Sequence, residues 1–332
     1  MSFEIPEQLN NSGVEKELEK KPQFAEQWEH PDRFQFEDTE VFAYDIKPEH
    51  EKTDVPVAFA QGFSGTPLMF KKDIDKLVEN ERRVISVNAM HGVPHNIPEE
   101  KKRDLPDAEL RKVAALLDTL DAKDIEKVDG VGNSEGSMVL VLAATLYPER
   151  FRNLVLEQPA GLIGEDTPLR LGARFETDIV TSEIKAARNK ISRTPHGITP
   201  PKKESSDLSP KNFYLALQEI RAMANTKLPE LLAELKSRGI GISIIHGAHD
   251  KAFPMERMQE MVKADMIDGF YSVRGSHAEV RPEQEKKHTQ NSLNMRSLRW
   301  RKDRKKNGEV PLLNSSLLFS TLLPVSFSKV RN

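Results

Sequence analysis

From about residue 55 onward, short continuous apolar runs alternate with segments whose apolar residues recur every three or four positions. "VPVAFAQGF" (Val55–Phe63), "RRVISVNAM", "KVDGVG", "RNLVLEQPAG", "GISIIHGAHD" and the end of "MIDGFYSVRGSHAE" read as buried strands. Between them, "PLMFKKDIDKLVEN", "PDAELRKVAALLDTLDA" and "PMERMQEMVKA" carry helical spacing. In the second of these, Leu110, Val113, Ala114, Leu117 and Leu120 share one side. "SMVLVLAATLY" could be strand by composition, but its length and the glycine turn before it favour a helix buried all round, ended at Pro148. Strands without internal polar alternation, interleaved with helices, predict an α/β fold: a mostly parallel central β-sheet flanked by helices.

Two regions break the rhythm. Residues 1–38 are polar and helix-leaning with little to bury, and are expected to be an extension; "FQFEDTEVFAYDIKP" at its edge alternates like one or two half-exposed strands. Residues 161–239 hold "TSEIKAARNKI" and "PKNFYLALQEIRAMANTKLPELLAELKSR" around a proline-rich polar stretch, which predicts a helical insertion between two strands, placed to cover a crevice. The core is then 39–160 plus 240–290, and residues 291–332 form a basic and apolar tail.

Composition narrows the chemistry. None of the 332 residues is cysteine, which removes disulfides, thiolate metal sites and a cysteine nucleophile. The N-terminus lacks a charged-then-apolar leader, and no run of about 18 apolar residues occurs, so a soluble cytoplasmic protein is expected. Residues 286–306 carry nine Lys/Arg against Asp303, a net of +8, which leaves −11 on the rest of a chain whose total is −3. The acidic main body argues against a nucleic-acid partner. The tail is expected to lie outside the fold as an extension, although basic charge beside Leu and Phe in 296–328 also suits weak contact with an anionic membrane surface. Oligomeric state is left open.

The candidate chemistry centres on Gly132-Asn133-Ser134-Glu135-Gly136, between a strand and a helix. A turn this sharp strains its central residue, and glycines two positions either side remove clashes with the flanking strand and helix. Ser134 is then lifted above the sheet near a helix N-terminus. A serine nucleophile needs a base and an acid to orient the base. Asp250 and His277 each lie in a loop after a predicted strand, on the same sheet edge as Ser134. His277 would take the serine proton, and Asp250 would fix its tautomer. His91, His95, His246 and His249 compete for the role of base; the spacing of His91 and His95 is broken by Gly92 and Pro94, and no third ligand for a metal is evident. No metal and no cofactor are expected. The loop Gln61-Gly62-Phe63-Ser64-Gly65 follows the first central strand. The backbone N–H of Phe63, joined by that of Glu135, would form an oxyanion hole, and Gln61, Gly62 and Ser64 would border the substrate.

With "AQGFSG", "GVGNSEGS", "HGAHDKAFP", "GSHAE" and "YPERFRNLVLEQPAG", the stretch from about Glu40 to Glu285 resembles the α/β-hydrolase superfamily, the helical insertion resembling its cap. Gln61 stands where the superfamily usually has His, Ser137 where Gly is common, and 55 residues follow His277. The resemblance implies hydrolysis of a small-molecule carboxylic ester or related acyl compound through an acyl-enzyme, with serine rather than aspartate as nucleophile. A carbon–carbon bond hydrolase, a proline-iminopeptidase-like enzyme using Glu176, Asp178 or Glu183 for the substrate's amino group, and a non-catalytic binding protein on the same fold remain as alternatives.

Overall fold

Every second residue of the first central strand faces a different layer of the molecule, and this sorts the core into two halves. In β3 (Val57–Ala60), Val57 and Phe59 pack on one side of the sheet, while Ala58 and Ala60 pack on the other. The computed structural model describes residues 24–37, 39–102, 104–164, 166–178, 210–263, 265–273 and 275–277. In chain order these begin with α1 (Ala25–Glu29), β1 (Asp32–Phe36), β2 (Thr39–Ile46) and β3. A 3₁₀ turn (Pro67–Phe70) leads to α2 (Lys71–Glu79), β4 (Val84–Asn88), α3 (Glu99–Lys102), α4 (Asp107–Ala122), β5 (Val128–Asn133), α5 (Glu135–Leu146) and β6 (Phe151–Glu157). Then come α6, helical over 168–178, α7 (Pro210–Asn225), α8 (Leu228–Ser237), β7 (Gly241–Gly247), α9 (Met255–Met261) and β8 (Gly269–Val273).

The eight strands form one sheet in the order β1-β2-β4-β3-β5-β6-β7-β8. β1 and β2 run antiparallel to their neighbours, and every pair from β4 to β8 is parallel. The α/β expectation therefore holds. α1 and α2 cover one face, and α4, α5 and α8 the other. All twelve residues of α5 are buried. At Gly130, an added Cβ would lie 2.7 Å from Leu154 and 3.1 Å from Leu140, so the missing side chain lets α5 settle on β5 and β6.

The expected extension over 1–38 needs correcting. From Phe24 onward the chain belongs to the fold: Phe24 and Trp28 are buried, and β1 pairs with β2. The Trp28 ring lies 5.2 Å from that of Tyr44, and its indole N–H donates to Asp75 at 2.8 Å. The buried rings of Phe24 and Trp28, with the Gln27 side-chain amide bonded to both backbone groups of Lys47, dock this mostly polar segment on the sheet. Residues 1–23, the tail over 291–332 and Glu183 lie outside the described residues. No described helix is long and apolar enough to cross a membrane.

Candidate active site

β5 ends at Asn133, and the chain then reverses through Ser134, whose φ of 54° and ψ of −117° lie in a strained region. The glycines make this reversal sterically feasible. A Cβ on Gly136 would sit 2.2 Å from the Ala60 carbonyl oxygen, and one on Gly132 would sit 2.7 Å from the Gly136 carbonyl oxygen. Ser137, in place of the commoner glycine, donates from Oγ to the Gly132 carbonyl at 2.6 Å. The Ser134 N–H donates to the Glu157 carbonyl at 2.8 Å, and its own carbonyl accepts from Ala160 N–H at 3.2 Å.

The loops after β7 and β8 bring the two partners. His277 Nδ1 is 2.8 Å from Asp250 Oδ2, and its Nε2 is 3.1 Å from Ser134 Oγ. A carboxylate only accepts, so Nδ1 carries the proton and donates to Asp250. Nε2 is then free to accept from the serine hydroxyl. Asp250 is also held by the Phe253 N–H, which donates to Oδ1 at 2.8 Å. Burial pushes the Asp250 carboxyl up, but His277 beside it, together with these hydrogen bonds, holds it below the ordinary aspartate value. The imidazole is set edge-on against Phe253 and Phe175, with ring centroids 5.0 and 5.1 Å away. Phe175 comes from α6, so the segment between β6 and β7 reaches the His277 ring.

The other histidines are engaged elsewhere. His91 Nδ1 donates to Glu219 at 2.9 Å, and His95 Nε2 donates to Asp107 at 2.9 Å. His246 is fully buried behind Asp250, donates from Nε2 to the Phe253 carbonyl at 2.8 Å, and is kept neutral by burial, which pushes its pKa down. His249 ties its backbone N–H to the Gly275 carbonyl at 2.9 Å. Of the acidic residues expected to read a substrate amine, Glu176 is exposed, and Asp178 is buried with Oδ1 3.3 Å from the Lys251 N–H.

No protein-family model matches the sequence, and no curated protein is similar to it in sequence. Solved structures are similar in shape. A serine hydrolase from the polyaromatic hydrocarbon-degrading bacterium Cycloclasticus zankles superposes with a TM-score of 0.50 at 17% identity, covering 75% of this chain and 90% of that one. An alpha/beta hydrolase from a Medee basin deep-sea metagenome library gives 0.50 at 11% identity, over 76% and 93%. A variant meta-cleavage product hydrolase gives 0.50 at 20% identity, over 77% and 94%. The chain has the α/β-hydrolase fold.

In this α/β-hydrolase fold the loop after β3 lies against the serine turn. A Cβ on Gly62 would meet Asn133 Oδ1 at 2.9 Å and Ser134 Cβ at 3.2 Å, so only glycine permits the approach. Gln61 donates from Nε2 to the Val87 carbonyl at 2.7 Å, fastening the loop to β4, and Gly65 N–H closes it on the Gly62 carbonyl at 2.8 Å. Phe63 follows Gly62 and packs partly buried against the core. A cavity of about 50 Å³ opens beside this loop, bordered by Gln61, Gly62, Ser64, Met90, Lys112 and Glu135.

The α/β-hydrolase core also holds a charged cluster that the sequence did not announce. Lys112 Nζ lies 2.7 Å from Glu135 Oε2 and 3.2 Å from Glu219 Oε1. Glu109, one turn before Lys112 on α4, is fully buried. Burial, with Glu135 next to it, pushes its carboxyl well above the usual range. Burial likewise raises Glu135. The helical spacing of α4 places Glu109 and Lys112 beside its apolar stripe, which is the one signal in the sequence that they are not solvated.

Proposed function

We propose that this protein is a serine hydrolase that cleaves carboxylic esters of small molecules through an acyl-enzyme. The observation that carries the reading is the single imidazole of His277, within hydrogen-bonding reach of Ser134 Oγ on one side and Asp250 on the other. In this reading Ser134 Oγ attacks the ester carbonyl carbon while His277 Nε2 takes its proton. Asp250, held ionised, stabilises the imidazolium. The N–H groups of Phe63 and Glu135 donate to the oxyanion. Collapse of the tetrahedral intermediate breaks the acyl carbon–oxygen bond, and the imidazolium returns its proton to the departing alcohol. Water, activated by the same Nε2, then releases the acid and restores Ser134.

Two features support a short, uncharged acyl group. The cavity beside the oxyanion loop has room for a few ordered waters, or a chain of a few carbons. Lys112, the cation on its wall, is already shared by Glu135 and Glu219, so it offers no unpaired charge to a substrate carboxylate. A fluorophosphonate probe tests the reading. Labelling of the wild-type chain that disappears in Ser134→Ala supports it; a folded wild-type chain that takes no label and leaves short nitrophenyl esters intact overturns it. On a panel of esters, amino-acid arylamides and a dienone carboxylate, the short esters are expected to turn over fastest.

A further inference from the structure

Gln158 follows the last residue of β6, is fully buried, and holds φ at 48°. A non-glycine side chain in that left-handed region is strained, and strain persists only where the surroundings over-determine it. Here they do. The Gln158 N–H donates to the Ile245 carbonyl of β7 at 2.8 Å. On either side, the Glu157 carbonyl accepts from the Ser134 N–H, and the Ala160 N–H donates to the Ser134 carbonyl. The segment 157–160 is thus fastened to both faces of the serine turn.

The side chain of Gln158 reaches the other way. Its Nε2 donates to the carbonyl of Ser276 at 3.0 Å, the residue immediately before His277. Its Oε1 is buried with no hydrogen-bond partner among the described residues. One residue therefore carries both a strained backbone and an unmet acceptor, while its single side-chain bond joins the segment fastened to the serine turn to the loop of His277. The base loop has a second anchor, the His249 N–H on the Gly275 carbonyl, and this one belongs to the Asp250 loop. The two anchors act in different directions. The His249 bond holds His277 to its acid, and the Gln158 bond holds it to Ser134.

We propose that Gln158 is a positioning residue that sets the separation of Ser134 and His277 by holding the Ser276 carbonyl. The proposal rests on the reading of Ser134 as nucleophile and His277 as base. Removing the Gln158 amide leaves the His277–Asp250 pair intact and lets the pair drift from the serine.

The experiment compares wild type with Gln158→Met, which keeps the length without a donor, and Gln158→Gly, which relieves the left-handed backbone and removes the side chain. Three readouts are used: hydrolysis of a short nitrophenyl ester, the rate of fluorophosphonate labelling, and the downfield NMR signal of the His277 Nδ1 proton. In both variants kcat and the labelling rate are expected to fall at least tenfold, KM to change less than twofold, and the Nδ1 proton signal to persist. Labelling within twofold of wild type in both variants overturns the proposal. So does loss of the Nδ1 signal together with cooperative unfolding in both, since Gln158 would then be holding the core rather than the site. A wild-type chain that shows the Nδ1 signal but neither labels nor hydrolyses overturns the functional reading itself, and the positioning role with it.

Discussion

Ser137 Oγ and the carbonyl of Gly132 are joined across the serine turn by a 2.6 Å hydrogen bond inside a fully buried pocket of backbone. A serine one residue beyond the second glycine thus ties the first turn of α5 back to the end of β5. Ser137→Ala removes this buried bond, at a cost of about 0.5–1.5 kcal/mol. For a chain of this size the melting temperature is expected to fall by about 1–3 °C. Ser134 stays in place, so labelling by a fluorophosphonate should be slowed by less than tenfold. Thermal melts and labelling kinetics on the same preparation check both statements.

Asp250 is expected to contribute through orientation and charge. Asp250→Asn keeps the shape but favours the wrong imidazole tautomer, and kcat should fall by roughly 10³–10⁴-fold with the protein folded. Stability gives a second readout. The folded carboxyl titrates below its ordinary value near 3.8. The unfolded chain therefore binds the proton first as pH falls. The stabilisation is present above 3.8 and is lost as pH drops through the lower folded value. Denaturation followed between pH 5 and pH 2.5 should show a shallower acid loss in Asp250→Asn than in wild type.

Glu109 has the opposite sign. Its folded carboxyl is raised well above its ordinary value near 4.5, chiefly by burial. The folded chain holds a proton that the unfolded chain releases, so stability is greatest below 4.5 and declines as pH rises toward the folded value. The slope for one such group is up to about 1.4 kcal/mol per pH unit. Glu109→Gln does not titrate, and is expected to be more stable than wild type at pH 8 and to differ little near pH 4. Urea melts at the two pH values decide this; equal stabilities at pH 8 would show that Glu109 is not held protonated.

Trp28 tests the corrected N-terminal boundary. Trp28→Ala removes a buried ring and an indole donor, a change that costs about 3–5 kcal/mol in folded cores. Labelling of Ser134 in the folded fraction should be unchanged, since Trp28 lies on the face of the sheet covered by α1 and α2.

The elements nearest the site were the most legible. β5, the serine turn and α5 follow from one glycine pair and an unbroken apolar run, because the geometry at that point admits few other residues. The placement of Asp250 and His277 beside Ser134 was readable because each follows a strand whose β character is plain in sequence. What escaped reading depended on packing between distant segments. Glu109, Lys112, Glu135 and Glu219 look like ordinary surface charges one at a time, and only the seating of α7 against α4 buries them together. Gln158 looks like a strand terminus; its role lies in a backbone angle and a bond to a residue 118 positions away, neither of which a side-chain pattern encodes. Trp28 was lost in a polar stretch because a single ring does not make a period.

Among the described residues β8 pairs with β7 alone, and His277 hangs just beyond its end, whereas Ser134 follows β5 in the middle of the sheet. Outer strands open at lower free energy than inner ones. Warming or mild denaturant should therefore peel the imidazole away while the serine turn is still intact. Inactivation would precede the loss of far-ultraviolet ellipticity and would reverse on cooling, so that the outermost strand acts as a thermal fuse for the whole site.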